Sequence, residues 1–375
     1  MRKMKLIALK DVCKINMGQS PNSSSYNDYG DGMPFFQGNA DFGERYPITR
    51  VWCNTPTKIA QAEDILISVR APIGALNYAK EECCIGRGLA AITPDRNKVS
   101  QDFIYWALKG KKAELNDKGN GSTFKAISRK ILEETMIPDI NFEQQHKCAE
   151  NLEKIYGIIQ NRRKELLALD DLIKARFVEM FGDMIINPNG WGKVLLGEAC
   201  DVRDGTHDSP KYFTEGYPLV TSKNVTGGKI DFADCSLICE EDYNKINQRS
   251  KVDMGDILMP MIGTVGNPVI VDIEAEFAIK NVALIKFREN STVINSFVKA
   301  LLESDYFDRA VISKVRGGTQ KFISLGDIRK LEICLPPIAV QEQFSDFAKQ
   351  VDKSKLMFQK LHQKLNILRQ KAGNI

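Results

Sequence analysis

The sequence predicts an α/β chain of two similar globular domains, separated by two long helices that form an antiparallel coiled coil, with a pseudo-two-fold internal repeat. Three observations predict it. One order of segments is written twice, at an offset that drifts between 192 (Asp64 to Asp256) and 198 (Phe142 to Val340). Each copy opens with short Ile-, Val- and Leu-rich runs punctuated by Gly, Asn, Asp and Ser, the pattern of buried strands joined by loops. Each copy closes with apolar residues at heptad spacing, the pattern of a long helix packed on another helix.

The repeat comes first because it fixes the frame for the rest. AEDILISVRAPIG (62–74) lies over MGDILMPMIGTVG (254–266), and CCIGRGLAAI (83–92) over FAIKNVALIK (277–286). QDFIYWAL (101–108) lies over NSFVKALL (295–302), and GSTFKAIS (121–128) over GGTQKFIS (317–324). Ile137 meets Ile333, and FEQQ (142–145) meets VQEQ (340–343). Six matches in the same order indicate duplication. Within each copy the runs at 64–69 and 256–262 read as buried strands, and one helix is expected at 101–115 and at 294–313.

Leu152, Ile159, Leu166, Ile173 and Met180 fall seven apart, with Ile155 and Leu169 at the d positions between them. In the second copy Phe344, Val351, Phe358 and Leu365 fall seven apart, with Phe347, Leu361 and Leu368 at d. Arg162, Arg176 and Ser354 interrupt the seam at d. Pro138 and Pro336-Pro337 end the strands before the helices, and Gly182 and Asn187-Pro188-Asn189-Gly190 close the first helix. The expected domains are 1–140 and 185–337, each reading as a globular unit, with spacer helices at 141–184 and 338–375.

Composition sets the class. Hydrophobic residues make up 43% and charged residues 27% of 375 residues, enough apolar material for globular cores. No run of 18 apolar residues offers a membrane span. Nine scattered cysteines, with no Cys-x-x-Cys pair, and three histidines argue against a zinc site and fit a reducing cytoplasm. The net charge of +4 permits nucleic acid as a partner without demanding it.

The common catalytic signatures are absent. No Gly-Lys pair is followed by Ser or Thr, so there is no P-loop. There is no His-Glu-x-x-His and no Gly-x-Ser-x-Gly. The Asp/Glu-x-Lys of common metal nucleases and the Asn/Asp-Pro-Pro-aromatic motif of amino-methyltransferases do not occur. A self-sufficient enzyme is therefore not expected, and no cofactor or metal is assigned. A non-catalytic coiled-coil scaffold or adaptor, and a DNA-modifying enzyme with an unfamiliar motif, stay open as alternatives.

A set of short motifs accompanies the tandem halves and the two spacer helices: Gly18-Gln19-Ser20-Pro21, PFFQGNADF (34–42), DILISVRAPIG (64–74), GSTFKAIS (121–128), MFGD (180–183) followed by NPNGW (187–191), GGTQKFIS (317–324) and LPPIAVQEQ (335–343). Together these features resemble the specificity subunit of type I restriction–modification systems. The resemblance implies two target-recognition domains, each reading one part of a bipartite double-stranded DNA site. It implies two modification subunits that bring S-adenosylmethionine and the adenine methyltransferase site, docked on the helices. Restriction subunits can join the complex.

Candidate DNA-binding residues follow. The Gly-rich loops place Ser122, Thr123 and Lys125 in the first copy, and Arg316, Thr319, Gln320 and Lys321 in the second, where amides, hydroxyls and cations suit phosphate. Arg70 ends a strand, and Arg87 sits in the next loop. Gln19, Gln37, Asn39, Asn224 and Asn281 carry amides that match adenine edges. Ser20, Thr206, His207, Lys211 and Lys223 lie in the same loops. By letters alone, Gly18-Gln19-Ser20-Pro21 corresponds to Asp204-Gly205-Thr206-His207, Arg70 to Ile262, and Arg87 to Asn281. The helical seam is expected at Leu152, Ile159, Leu166, Ile173, Val351, Phe358, Leu361 and Leu365.

Overall fold

A computed structural model describes residues 5–120, 125–263, 265–274, 276–311 and 322–373, with side chains described to residue 359. The chain divides into two units, Met1–Arg162 with Lys360–Ile375, and Arg163–Gln359. Each is built around the same sheet. In the first unit Cys13–Met17, Leu89–Pro94, Ile65–Ser68 and Leu76–Tyr78 form an antiparallel sheet in that spatial order. In the second, Asp201–Asp204, Val282–Lys286, Ile257–Pro260 and Val269–Ile270 do the same.

The central strands Ile65–Ser68 and Ile257–Pro260 are buried along their whole length. That is why they read as unbroken apolar runs rather than as alternating ones. Asp64 and Asp256, just before them, are buried carboxylates that accept the amides of Gln61 at 2.9 Å and Asp253 at 2.8 Å. These turns set the start of each strand.

A second sheet is also shared. Met33–Phe36 pairs in parallel with Cys83–Ile85, and Tyr217–Val220 pairs in parallel with Ala278–Ile279. Around that parallel pair, among the described residues, the first unit has five strands and the second three. A short antiparallel ribbon repeats as well, Leu6–Ala8 with Met136–Pro138 and Lys193–Leu195 with Glu332–Cys334.

The single helices expected at 101–115 and 294–313 are each broken. The first is Gln101–Gly110 followed by Lys112–Asp117, interrupted where Gly110 adds little helical preference and Lys111 leaves the helical region. The second is Asn295–Leu302 followed by Asp305–Ala310. There Ser304 is extended and its hydroxyl donates back to the Leu301 carbonyl at 2.6 Å.

Two long helices follow, Phe142–Phe181 and Ile338–Gly373. Gly182 ends the first with φ +70°, a left-handed position that glycine occupies without a Cβ penalty, and its amide donates to Val178. Leu152 and Ile159 are buried, and Leu166, Leu169, Ile173 and Met180 are half-buried, whereas Leu167, Leu172 and Val178 are exposed. Val351 is buried and Phe358 half-buried. The side chains of Leu361 and Leu365 lie outside the described residues. Inside the second unit the two helical segments run antiparallel. Phe344 packs on Phe177 and Phe181 with ring centroids 5.6 and 5.5 Å apart, and about three turns further along the same helix Lys355 pairs with Asp170, earlier in the first, at 2.6 Å.

One buried glutamine per copy ties the long helix to its domain. Gln145 accepts the Ser100 amide at 2.7 Å and donates to Ile140; Gln341 accepts the Ile294 amide at 3.0 Å and donates to Thr292 and Pro336. Each thereby satisfies an amide at the start of the shorter helix, where no backbone partner exists. The glutamine pairing expected from FEQQ over VQEQ is therefore corrected. Gln145 is the equivalent of Gln341, not of Gln343, because the ribbons align Ile137 with Ile333 and the count continues without a gap.

Candidate nucleic-acid interface

In each unit the ends of the shared sheets bring the loops together. In the first, the Gly18 amide donates to Leu89, Gln19 to Ile85, Gly88 to Gln37 and Val69 to Gly88. The Ala71 amide donates to Lys125, and Arg70 bridges to Ala126. These backbone bonds assemble Gln19, Ser20, Gln37, Arg70, Arg87 and Lys125 at one end of the domain. Ser20 Oγ lies 3.1 Å from Gln37 Oε1 and accepts from Gln37 Nε2 at 3.0 Å and from the Arg87 amide at 3.3 Å. Asp41 holds the Gln37 turn by accepting its amide at 2.7 Å, and Asn39 lies within that turn. Gln19, Gln37, Arg70, Arg87 and Lys125 are exposed.

The second unit has the same frame and other side chains. The Gly205 amide donates to Val282 and Thr206 to Ile279. These bonds correct the letter-based correspondence by one residue. Gly18 matches Gly205, Gln19 matches Thr206, and Ser20 matches His207. The two glycines are required for the same reason, since a Cβ at Gly18 would stand 2.1 Å from the Gly86 oxygen and one at Gly205 would stand 2.2 Å from the Ile279 oxygen. The paired strands likewise match Leu89 with Val282. The loop between the paired strands is then Gly86-Arg87-Gly88 in the first copy and Lys280-Asn281 in the second, one residue shorter. Arg87 therefore has no strict counterpart.

His207 sits in this second loop cluster. Its Nδ1 lies 2.7 Å from Asn281 Oδ1 and its Nε2 2.8 Å from Asp204 Oδ2. Arg249 pairs with the same carboxylate at 2.9 Å and also donates to the Gly205 carbonyl. The bond to Asn281, then that to Asp204, raises the imidazole above the ordinary histidine range, against desolvation and the Arg249 charge. Lys280 donates to Ser209 at 2.6 Å.

The remaining candidates separate. Lys211 and Lys223 are exposed in the loops on either side. Asn224 is corrected from a ligand-facing residue to a structural one. It is buried, its oxygen accepts the amide and hydroxyl of Thr221, and its nitrogen donates to Asp231. Ser122, Thr123, Arg316, Thr319, Gln320 and Lys321 lie outside the described residues. Asp204, Arg249 and Lys280 were missed by sequence reasoning. Lys280 adjoins Asn281 and was within reach; Arg249 belongs to the helix Glu240–Ser250 and carried no signal. Among the described residues no cluster of His, Cys, Asp and Glu could hold a metal ion, and no helix is long and apolar enough to cross a membrane.

Comparison with known proteins places these features in a family. The family model described as type I restriction modification DNA specificity domain matches residues 1–168 and again 188–368. The MjaX specificity subunit assigned to the type I restriction enzymes of Methanocaldococcus jannaschii is 47% identical over 152 residues, 40% of this chain and 36% of that one. The type I restriction enzyme EcoBI specificity subunit of Escherichia coli is 21% identical over 90% of this chain and 77% of its own. A crystal structure of a type I restriction–modification S subunit from M. genitalium matches 100% of this chain and 96% of that one with a TM-score of 0.58 at 16% identity, a likeness of fold. The twofold match of the family model agrees with the two sheets of identical order, and the chain belongs to the type I restriction modification DNA specificity domain family.

Proposed function

We propose that each α/β domain reads one part of a two-part double-stranded DNA sequence, and that the long helices dock two modification subunits that methylate it. Membership in the family supports reading the chain as the DNA-sequence-recognition component of a type I restriction–modification complex. Catalysis then belongs to the partners. The modification subunits supply S-adenosylmethionine and the adenine methyltransferase site, and restriction subunits join where DNA is also cut. The setting is the cytoplasm, where the DNA is.

The observation that carries this reading is one scaffold with two sets of loop residues. Two heads built alike but lined differently suit two unlike half-sites. Gln19, Ser20, Gln37 and Arg87 can offer amides, a hydroxyl and a guanidinium to base edges, while Arg70 and Lys125 suit phosphate. In the second copy Thr206 and His207 take the places of Gln19 and Ser20, Lys280 and Asn281 fill the shorter loop, and Lys211 and Lys223 lie beside them. On the helices Ile158, Leu172 and Met357 are exposed apolar residues outside the seam, a surface fit for docking.

The test is an exchange. Replacing residues 185–337 by the equivalent part of a relative, in the chain assembled with its modification subunits, should change one part of the methylated sequence and leave the other. Mapping modified bases in host DNA reads both parts at once. A change in both parts would break the assignment of one head to one half-site.

A further inference from the structure

The second loop cluster holds an arrangement that its counterpart in the first lacks. The Asn281 backbone is fixed. Its φ is +55°, its amide donates to Thr206 at 3.2 Å, and its carbonyl accepts the Ser222 hydroxyl at 3.3 Å. With the backbone held, the contact with His207 fixes the direction of the side chain and leaves its amide two settings, related by a flip. One face of that amide is already spoken for by His207, and His207 is gripped on its other nitrogen by Asp204.

The chemistry of the three groups links charge to orientation. A carboxylate only accepts, so the Nε2 nitrogen facing Asp204 keeps its proton in either charge state. When the imidazole is charged, Nδ1 also donates, and Asn281 must turn its oxygen inward and its NH2 outward. When the imidazole is neutral, Nδ1 accepts, and Asn281 must turn its NH2 inward and its oxygen outward. An outward NH2 seeks acceptors, such as guanine O6 and N7; an outward oxygen seeks donors, such as adenine N6 or cytosine N4.

We propose that His207 is a positioning residue that sets, through its charge, which polar atom Asn281 presents to a base edge in the second half-site. This deepens the reading of the second domain as a DNA reader and rests on it. The groups that face the imidazole are Asp204 on the adjoining strand, Arg249 from the helix Glu240–Ser250, and Asn281 from the opposing loop, with Lys280 next to it. Asp204 favours the charged form and Arg249 opposes it. Because the folded pKa is raised, the charged form holds at and somewhat above the ordinary midpoint of ~6.5 and is lost as pH rises through the raised value. The NH2-out state thus belongs to the lower pH.

The experiment has two arms. The first uses the full chain labelled with 15N in its three histidines, His146, His207 and His362, with His207→Gln to assign the signal. Both nitrogens of His207 should carry protons at pH 6.5, and Nδ1 alone should lose its proton at high pH. Asp204→Asn should lower the midpoint. A His207 that loses its Nε2 proton first, or that titrates at the same pH in Asp204→Asn, overturns the proposal.

The second arm measures binding of the chain with its modification subunits to a randomised DNA library at two pH values on either side of that midpoint. One position of the second half-site should shift from an acceptor-bearing to a donor-bearing base by about tenfold, the scale of one good base contact. Asn281→Asp, which presents oxygen at every pH, should lock the high-pH preference. The first half-site should not move. A second half-site read with the same preference at both pH values and in His207→Gln refutes the role of His207 while leaving DNA reading intact. A wild-type complex with no preference at all in that half refutes the underlying reading instead.

Discussion

The two copies agree in backbone and differ in what the backbone presents. Strand order, the parallel pair, the terminal ribbon, the close glycine and the buried glutamine recur. Loop length and loop side chains do not. The first copy lines its site with amides, a hydroxyl and two arginines; the second uses a histidine clamped by Asp204 and Asn281, and a lysine. Burial explains the split. Residues that fill a core or satisfy a buried amide are held by many neighbours at once, whereas a loop residue at the rim can change with little cost to the fold.

The sharpest way to break that equivalence is at the two glycines. Gly18→Val and Gly205→Val would each press a branched side chain into a backbone carbonyl, and the strands must part to admit it. Each should cost ~3 kcal/mol or more, read as a lowered midpoint in chemical denaturation. If one tolerates the change and the other does not, the two positions are not equivalent, and the one-residue correction to the correspondence fails.

The next test exploits a difference inside the matched cores. Lys286 bonds the buried Asp256 at 2.6 Å and Asp253 at 2.8 Å. On the matching strand of the first copy the position is Thr93, and among the described residues no cation pairs with Asp64. Lys286→Met should destabilise by about 3 kcal/mol, because it leaves a buried carboxylate uncompensated, while Thr93→Ala should cost under ~0.5 kcal/mol. Burial already raises the Asp256 carboxyl above its usual range, with Lys286 opposing it. A raised carboxyl favours the folded state below its unfolded pKa and loses that contribution as pH rises through the folded value. Without Lys286 the rise is larger, so the deficit of the variant should widen from acid toward neutral pH. A deficit independent of pH would assign the loss to packing.

A smaller effect ranks the two glutamines. Gln145→Leu orphans the Ser100 amide and the Ile140 carbonyl; Gln341→Leu orphans the Ile294 amide and two carbonyls. Each should lower stability by about 2 kcal/mol in denaturant titration, with Gln341 the larger loss. Equal and negligible losses would mean that water replaces the amide.

The fold was legible because its two main signals are local patterns of apolar residues. Unbroken apolar runs marked the central strands, and the heptads marked the helices. Register was less legible. VQEQ offers two glutamines, and letter matching took Gln343 where the hydrogen bonds choose Gln341. The loop at Lys280-Asn281 is one residue shorter than Gly86-Arg87-Gly88, so letter matching set Arg87 on Asn281, and near Gly205 it slipped by one residue as well. Much of the candidate site could be picked by residue type, but not its wiring. Asp204, His207 and Asn281 meet only because two loops 74 residues apart are joined through a left-handed turn, and no local pattern encodes that. Asn224 misled for the opposite reason, being a loop amide used up inside its own turn.

The mildest prediction separates phosphate contact from base reading in the first copy. Lys125 is exposed, and its carbonyl accepts the Ala71 amide, which sets it beside Arg70 at the strand end. In the second copy the place of Arg70 is taken by Ile262, so the strand-end arginine is particular to the first head. A lysine on a phosphate releases a counterion when DNA binds, which contributes ~0.9 to the slope of log affinity against log salt. Lys125→Ala should therefore reduce that slope by about 1 and weaken binding, most visibly at low salt, with the methylated sequence unchanged. Folding stability should move by less than ~0.5 kcal/mol, since an exposed side chain is removed. Lys321 is the sequence counterpart, and Lys321→Ala should act alike. An unchanged salt slope in both variants would make these lysines ordinary surface charges. A changed sequence preference would move Lys125 from the phosphates to a base edge, and the division between holding and reading would have to be drawn elsewhere in the first head.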